Sequence, residues 1–237
     1  MIEVRGLSKR YRDFVAVEDL SFDVGPGEIV GFLGPNGAGK STTMRILAGY
    51  MPATSGQVRI AGLDVFEEPL AVKRRIGYLP EIPPVYLDMS VGGYLKFVAE
   101  LKGVRGRALR PEVDRVAALA GVDHMLPRLV RNISKGYRQR VGIAQALLGS
   151  PDVLILDEPT VGLDPLQIEQ VRRLILDLGR TQRHTIILST HILGEVRATC
   201  QRIVMVARGR IVADQPLAAL EAQHGSLEQA FARLAVA

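Results

Sequence analysis

Nine residues, Gly34-Pro35-Asn36-Gly37-Ala38-Gly39-Lys40-Ser41-Thr42, constrain this chain more than any other stretch. They fit the spacing G-x-x-x-x-G-K-[ST], which acquires meaning only between a strand and a helix. Both flanks qualify. Glu28-Ile29-Val30-Gly31-Phe32-Leu33 is an apolar run of strand length, and Thr43-Met44-Arg45-Ile46-Leu47-Ala48 reads as the start of a helix. Glycines in such a loop let successive N–H groups turn toward one anion, and the following helix adds the positive end of its dipole. A lysine placed as Lys40 is reaches terminal phosphates, and a hydroxyl placed as Ser41 is holds Mg²⁺. The competing reading, a glycine-rich turn with a surface lysine, does not account for those flanks.

At 237 residues the chain can form one large core, with room for an inserted lobe. No run of 18 apolar residues offers a membrane-spanning helix. The stretch Met1-Ile2-Glu3-Val4-Arg5 has an acid and no apolar core, so no secretory signal is expected. Cys200 is the single cysteine, which excludes an internal disulfide framework and suits a reducing compartment. A net charge of +5 suits a polyanionic ligand, nucleic acid or an anionic membrane face, and equally an ordinary basic surface.

Taken in order, Ile2–Leu7, Val15–Val24 and Glu28–Leu33 read as strands, with turns at Ser8-Lys9-Arg10 and Gly25-Pro26-Gly27. Leu20, Phe22 and Val24 alternate with polar residues, as on a half-buried antiparallel strand. Tyr11 falls in the loop after the first strand, where it is either a platform for a purine or a partly buried loop tyrosine. Gln57–Ile60 and Arg75–Leu79 read as further strands, and Pro80-Glu81-Ile82-Pro83-Pro84 as a hinge. From Leu87 to about Arg131 the pattern is helical, with Tyr94, Leu95, Val98 and Leu101 on one face and Val113, Val116, Ala117 and Ala120 on another. This segment is expected to be an inserted lobe that moves as a unit.

Ser134 is a good N-cap for a helix running through Val141, Ile143 and Leu147. Val153-Leu154-Ile155-Leu156 suits a strand buried on both faces, and it ends in Asp157-Glu158. Adjacent carboxylates at such a tip are costly as structure alone, and open α/β sheets bind ligands at these ends. Unless the strand end simply dips into solvent, Asp157 is the expected Mg²⁺ anchor, direct or through the metal's own ligands, and Glu158 the group that activates water. Asp164 followed by Pro165 is sufficient as helix-start chemistry. His184–Thr190 is another buried strand, and His191 emerges at its tip beside Asp157, either as a functional or as a structural histidine. Ile203–Ala207 and Ile211–Asp214 form a hairpin. Ser226 and Gln229 form a capping box before a short helix that buries Leu227, Phe231 and Leu234.

Together these stretches resemble, over essentially the whole chain, the nucleotide-binding subunit of ABC transporters. The phosphate loop is Gly34–Thr42 and the second nucleotide motif Val153–Glu158. The family signature aligns with Ile133-Ser134-Lys135-Gly136-Tyr137, the D-loop with Gly162-Leu163-Asp164, and the switch histidine with His191. The wording of Gly77–Glu81 and Ser134–Arg140 resembles the gliding-motility-type and multidrug-export-type branch. The resemblance implies a P-loop NTPase (RecA-like) α/β core with an N-terminal antiparallel β subdomain. It also implies an inserted α-helical subdomain at about 82–150 and a short C-terminal helix at about 216–236, within one domain of 1–237.

It further implies an ATPase using ATP and Mg²⁺. Glu158 acts as base, His191 touches the γ-phosphate, and Lys40 and Glu81 complete the catalytic set. Tyr11 stacks the adenine. Ser134, Lys135, Gly136 and Asp164 serve a nucleotide held by a second copy, in a head-to-tail homodimer. Ser41, Asp157 and Glu81 ligate the metal. The implied setting is the cytoplasmic face of the cell membrane, beside a separate transmembrane permease subunit of an exporter. Nucleic acid is not the expected partner: a soluble ABC-type ATPase acting on nucleic acid or ribosomes would commonly carry two cassettes or a coiled-coil insertion. A P-loop kinase fits less well, because Glu158 beside Asp157 suits the activation of water. Two departures stand out. Glu81 occupies the hinge-glutamine position, and Lys135 and Tyr137 replace a glycine and a glutamine of the signature.

Overall fold

The computed structural model describes residues 1–180 and 184–236. Two sheets share the molecule. The first is antiparallel, in the order β2-β1-β4-β5, built from β1 (Ile2–Tyr11), β2 (Phe14–Val24), β4 (Ser55–Ile60) and β5 (Leu63–Asp64). The second has the order β10-β9-β3-β8-β7-β6. It comprises β3 (Ile29–Leu33), β6 (Ile76–Leu79), β7 (Val153–Asp157), β8 (Thr185–Thr190), β9 (Arg202–Ala207) and β10 (Arg210–Pro216). All its pairings are parallel except the closing hairpin β9–β10. This is the mixed α/β P-loop architecture the sequence pointed to.

The central strands β3, β7 and β8 are buried along their whole length and apolar through their middles, because both faces are covered. Val30 and Phe32 of β3 join Val153 and Ile155 of β7 in a cluster with the antiparallel sheet and with α1 (Lys40–Leu47). The alternate residues, Ile29 and Leu33 with Leu154 and Leu156, join the opposite cluster. There they meet α5 (Lys135–Leu147), α6 (Pro165–Arg180) and α7 (Leu193–Thr199). The same cluster takes in α3 (Val91–Leu101) and α4 (Leu109–Leu119), so the lobe's interior is continuous with the sheet's lower face. The other α-helices among the described residues are α2 (Pro69–Arg75), α8 (Leu217–His224) and α9 (Leu227–Phe231).

Three details differ from the sequence reading. Ser8-Lys9-Arg10 is not a turn: β1 runs through it with irregular register, and the chain reverses at Arg12-Asp13, where Arg12 has φ 50°. Tyr11 is accordingly the last residue of a strand, paired with Phe14, and not a loop residue. On α3 the buried face is Val91, Tyr94, Leu95 and Ala99, while Leu101 is 71% exposed. The 100° step per residue puts Ala99, four after Leu95, inward; Leu101 lies within about 20° of Tyr94 around the axis, but it is the last residue of α3, past the end of the buried face. In the tail Leu227 is buried, whereas Phe231 and Leu234 are only partly so and pack against the cluster from its edge.

Candidate active site

Register decides which side chains meet. Leu33 pairs with Thr190, Asp157 with Ser189, and Leu79 with Leu156, so β3, β8, β7 and β6 end at one level. Their C-terminal tips release, respectively, the glycine loop, His191, Glu158 and Glu81. A cavity of about 460 Å³ opens there.

Two of the loop's glycines are demanded by space. A Cβ on Gly34 would overlap the Val206 carbonyl, and Gly39, at φ +98°, would overlap that of Ala16. The turn at Gly39 starts α1 at Lys40 with no side chain capping its first N–H groups, which leaves donors aimed at the cavity. Lys40 is 6% exposed, and its ammonium donates to the carbonyls of Gly34 (2.8 Å) and Pro35 (3.2 Å). The same nitrogen lies 3.5 Å from Glu158 Oε1.

Ser41 Oγ donates to Asp157 Oδ1 at 3.2 Å, and Ser189 Oγ donates to the same oxygen. Asp157 is 1% exposed. Burial pushes its carboxyl above the usual range, the two serine bonds oppose this, and the charges of Glu158 and Glu81 add to it. Glu158 is also buried and sits at φ 49°, a conformation costly for a non-glycine residue. Its N–H donates to Ser189 O at 2.9 Å. His191 Nδ1 donates to both Glu158 oxygens, at 2.9 and 3.0 Å, with the ring half exposed to the cavity.

Asn36, Gly37, Gly39, Lys40, Ser41, Thr42, Glu81, Glu158 and His191 therefore border one space. Pro35 and Ala38 face a smaller hollow beside Arg208, together with Asn36 and Gly37. Tyr11 does not border the main cavity; its hydroxyl lies 3.1 Å from Met51 Sδ, and Lys9 Nζ sits 5.3 Å above its ring. Phe14, 62% exposed, is the aromatic that lines the cavity. Sequence reasoning passed over it because it lies past the turn that the irregular β1 conceals. It also passed over Ser189, whose only signal was a polar Ser-Thr pair ending an apolar strand.

The signature residues lie elsewhere. Ser134 caps α5, its Oγ accepting from Tyr137 N at 3.3 Å. Lys135 reaches Gly162, and Gly136 is so close to Gln167 that a Cβ would overlap its side chain. Asp164 caps α6, accepting from Gln167 N at 2.9 Å. Tyr137 is held by His124, with Nε2 3.2 Å from its hydroxyl, and by Arg140 5.6 Å from its ring.

The donor set suits a hard divalent cation. Asp157 accepts from Ser41 and feels the charges of Glu158 and Glu81, and of the three carboxylates Glu158 is the one that lies against the ammonium of Lys40. Among the described residues no cluster of three or more His, Cys, Asp or Glu forms a cage. Mg²⁺ needs none, since it takes one or two carboxylates and completes its shell with water and phosphate.

A glycine loop opening a helix, a buried acid pair and a histidine at the strand ends fit a nucleotide-hydrolysing α/β protein. The chain belongs to the ABC transporter ATP-binding family: the family model described as ABC transporter matches residues 17–161. It is thus an ABC ATPase, a protein that binds and hydrolyses ATP. The bacitracin transport ATP-binding protein BcrA of Bacillus licheniformis is 38% identical over 216 residues, which are 91% of this chain and 70% of that one. A solved structure described as the ATP binding subunit of an ABC transporter superposes with a TM-score of 0.88 at 31% identity, covering 99% of both chains. A dimeric bacterial ABC transporter cassette matches in fold, with a TM-score of 0.84 at 23% identity over 91% of this chain and 98% of that one. No helix among the described residues is long and apolar enough to cross a membrane.

Proposed function

We propose that this chain is the motor subunit of an exporter, a single cassette with an inserted helical lobe at about 82–150. It works as a head-to-tail pair beside a separate membrane subunit, on the cytoplasmic face. The observation that carries the reading is a site that is half built. Lys40, Ser41, Glu158 and His191 share a cavity, while Ser134 and Gly136 open a helix packed against Gly162 and Gln167. A second copy would supply that helix end to close the cavity over the terminal phosphate. The transport name of BcrA supports a role in a transporter, and the dimeric cassette of the same fold supports the pairing.

Within the cavity each group has a task. Lys40 exchanges loop carbonyls for phosphate oxygens, and Phe14, which borders the cavity, offers the nucleobase a face. Ser41, Asp157 and Glu81 hold Mg²⁺, which when bound offsets the charge of the phosphate oxygens. Glu158 takes the proton of the attacking water, and His191 orients its carboxylate and faces the terminal phosphate. The lysine at 135 adds positive charge at the interface between copies.

Glu81 and its neighbours link this site to the membrane subunit. Glu81 borders the 460 Å³ cavity, whereas Pro80, Ile82 and Pro84 border a second cavity of about 660 Å³ between the sheet and the helical lobe. Tyr50, Ile82 and Leu101, at 76%, 81% and 71% exposure, give that second cavity an apolar rim suited to a docked helix. A proline-stiffened loop thus touches both spaces. Glu158→Gln tests the chemistry. ATP turnover should fall by about 10²–10⁴-fold with ATP binding intact, and an unchanged rate would remove Glu158 as base.

A further inference from the structure

Glu195 is 1% exposed, lies outside the cavity, and has no part in the chemistry described above. A buried carboxylate is costly unless something is gained by keeping it. Its Oε2 accepts the hydroxyl proton of Thr190 at 2.7 Å. That same hydroxyl oxygen accepts the N–H of Ile192 at 3.1 Å. Thr190 and Ile192 are the two neighbours of His191, so one hydroxyl ties down the backbone on both sides of the histidine. Each end of the tie is itself anchored. Thr190 is the last residue of β8, paired with Leu33 at the mouth of the glycine loop. Glu195 lies in the first turn of α7, its N–H bonded to Ile192 O at 3.0 Å. The other carboxylate oxygen, Oε1, is buried with no hydrogen-bond partner. It feels the positive charge of Arg172 on the adjacent helix α6, whose Nε is likewise buried and unbonded. The carboxylate oxygen that is bonded is the one facing Thr190.

We infer that Glu195 and Thr190 form a clamp that positions His191 on Glu158, making Glu195 a positioning residue for ATP hydrolysis. Without the clamp, the short span between β8 and α7 can swing. His191 Nδ1 then loses its place 2.9 Å from the carboxylate. Displacements of that kind cost rate rather than affinity. The inference rests on the role proposed above for His191 and Glu158.

The experiment is steady-state ATP hydrolysis by the full chain carrying Thr190→Val, Thr190→Ser, Glu195→Ala, Glu195→Gln or His191→Ala. Thr190→Val keeps shape and volume but removes the hydroxyl, so it guards against a Glu195→Ala chain that fails to fold. Thr190→Val and Glu195→Ala should lower kcat by about tenfold or more with KM for ATP within about twofold. Thr190→Ser restores the hydroxyl and Glu195→Gln retains an acceptor for it, so both should keep near-parental kcat. A parental kcat in Thr190→Val, while His191→Ala is inactive, would overturn the clamp and leave the proposed mechanism standing. A loss in Glu195→Gln as large as in Glu195→Ala would also overturn it, by making charge the active property. Full activity in His191→Ala would instead bring down the mechanism on which the clamp depends.

Discussion

Two helix N-termini in this protein, those of α1 and α5, differ in how they are finished. At α1 the residue before the helix is Gly39, in a left-handed conformation with no side-chain cap, and the open N–H groups face a cavity. At α5 the preceding residue is Ser134, whose side chain already caps Tyr137 N, and the first turn packs against Gly162 and Gln167. An uncapped helix start is stable only where an anion or water completes it. A capped one is stable alone and can still lend its hydroxyl and remaining donors to a ligand carried by another body. On the proposed function, α1 holds the ligand within its own chain and α5 acts on a neighbour's.

Substitutions at the two ends should separate accordingly. The largest effect is expected for Lys40→Ala, which removes charge-assisted bonds to phosphate. ATP affinity of the isolated chain should fall on the order of 10- to 100-fold, measured by calorimetry, and full affinity would place the phosphates elsewhere. Ser134→Ala should leave that affinity unchanged while lowering turnover at saturating ATP. Its loss of the cap should cost about 1 kcal/mol, read as a melting point lower by a few degrees. Equal losses of ATP affinity in both variants would erase the distinction.

The smallest effect concerns how α5 is tied at its other end. Lys102 Nζ donates to the carbonyls of Leu148 (2.9 Å), Ala146 (3.2 Å) and Ile76 (3.5 Å), fastening the end of α5 to β6. Burial pushes its ammonium down to about 8, with Glu112 opposing. The unfolded chain therefore holds this proton to higher pH than the folded one. Between the two pKa values the unfolded state binds more protons, so this contribution makes stability rise with pH. From pH 8 to 10 the melting point of the parent should rise relative to that of Lys102→Met. Parallel curves would show that folding does not lower the pKa of the Lys102 ammonium.

The core of this site was legible because its chemistry is local. The glycine loop needs a strand before it and a helix after it, and Asp157-Glu158 ends a run with no other reason to carry charge. Asp164, Ser134 and Ser226 announced themselves as caps, and each accepts an N–H three residues on. What stayed hidden depends on register. The irregular pairing of β1 moved the first turn to Arg12-Asp13 and put Phe14, not Tyr11, at the cavity. Ser189 meets Asp157 only because β7 and β8 pair in one register, and the Thr190–Glu195 bond needs α7, which no periodic pattern signalled. The continuity of lobe and sheet interiors was equally invisible, since apolar faces on α3, α4 and α5 do not state what they meet.

The central claim is that α5 of one copy completes the cavity of another, and association with nucleotide tests it most directly. Light scattering on Glu158→Gln at high concentration, with saturating Mg²⁺ and ATP, should show the mass of a dimer. Removing ATP, or adding Ser134→Ala, should return it toward the monomer. A Glu158→Gln chain that binds ATP yet stays monomeric throughout, even beside its membrane subunit, would contradict the account.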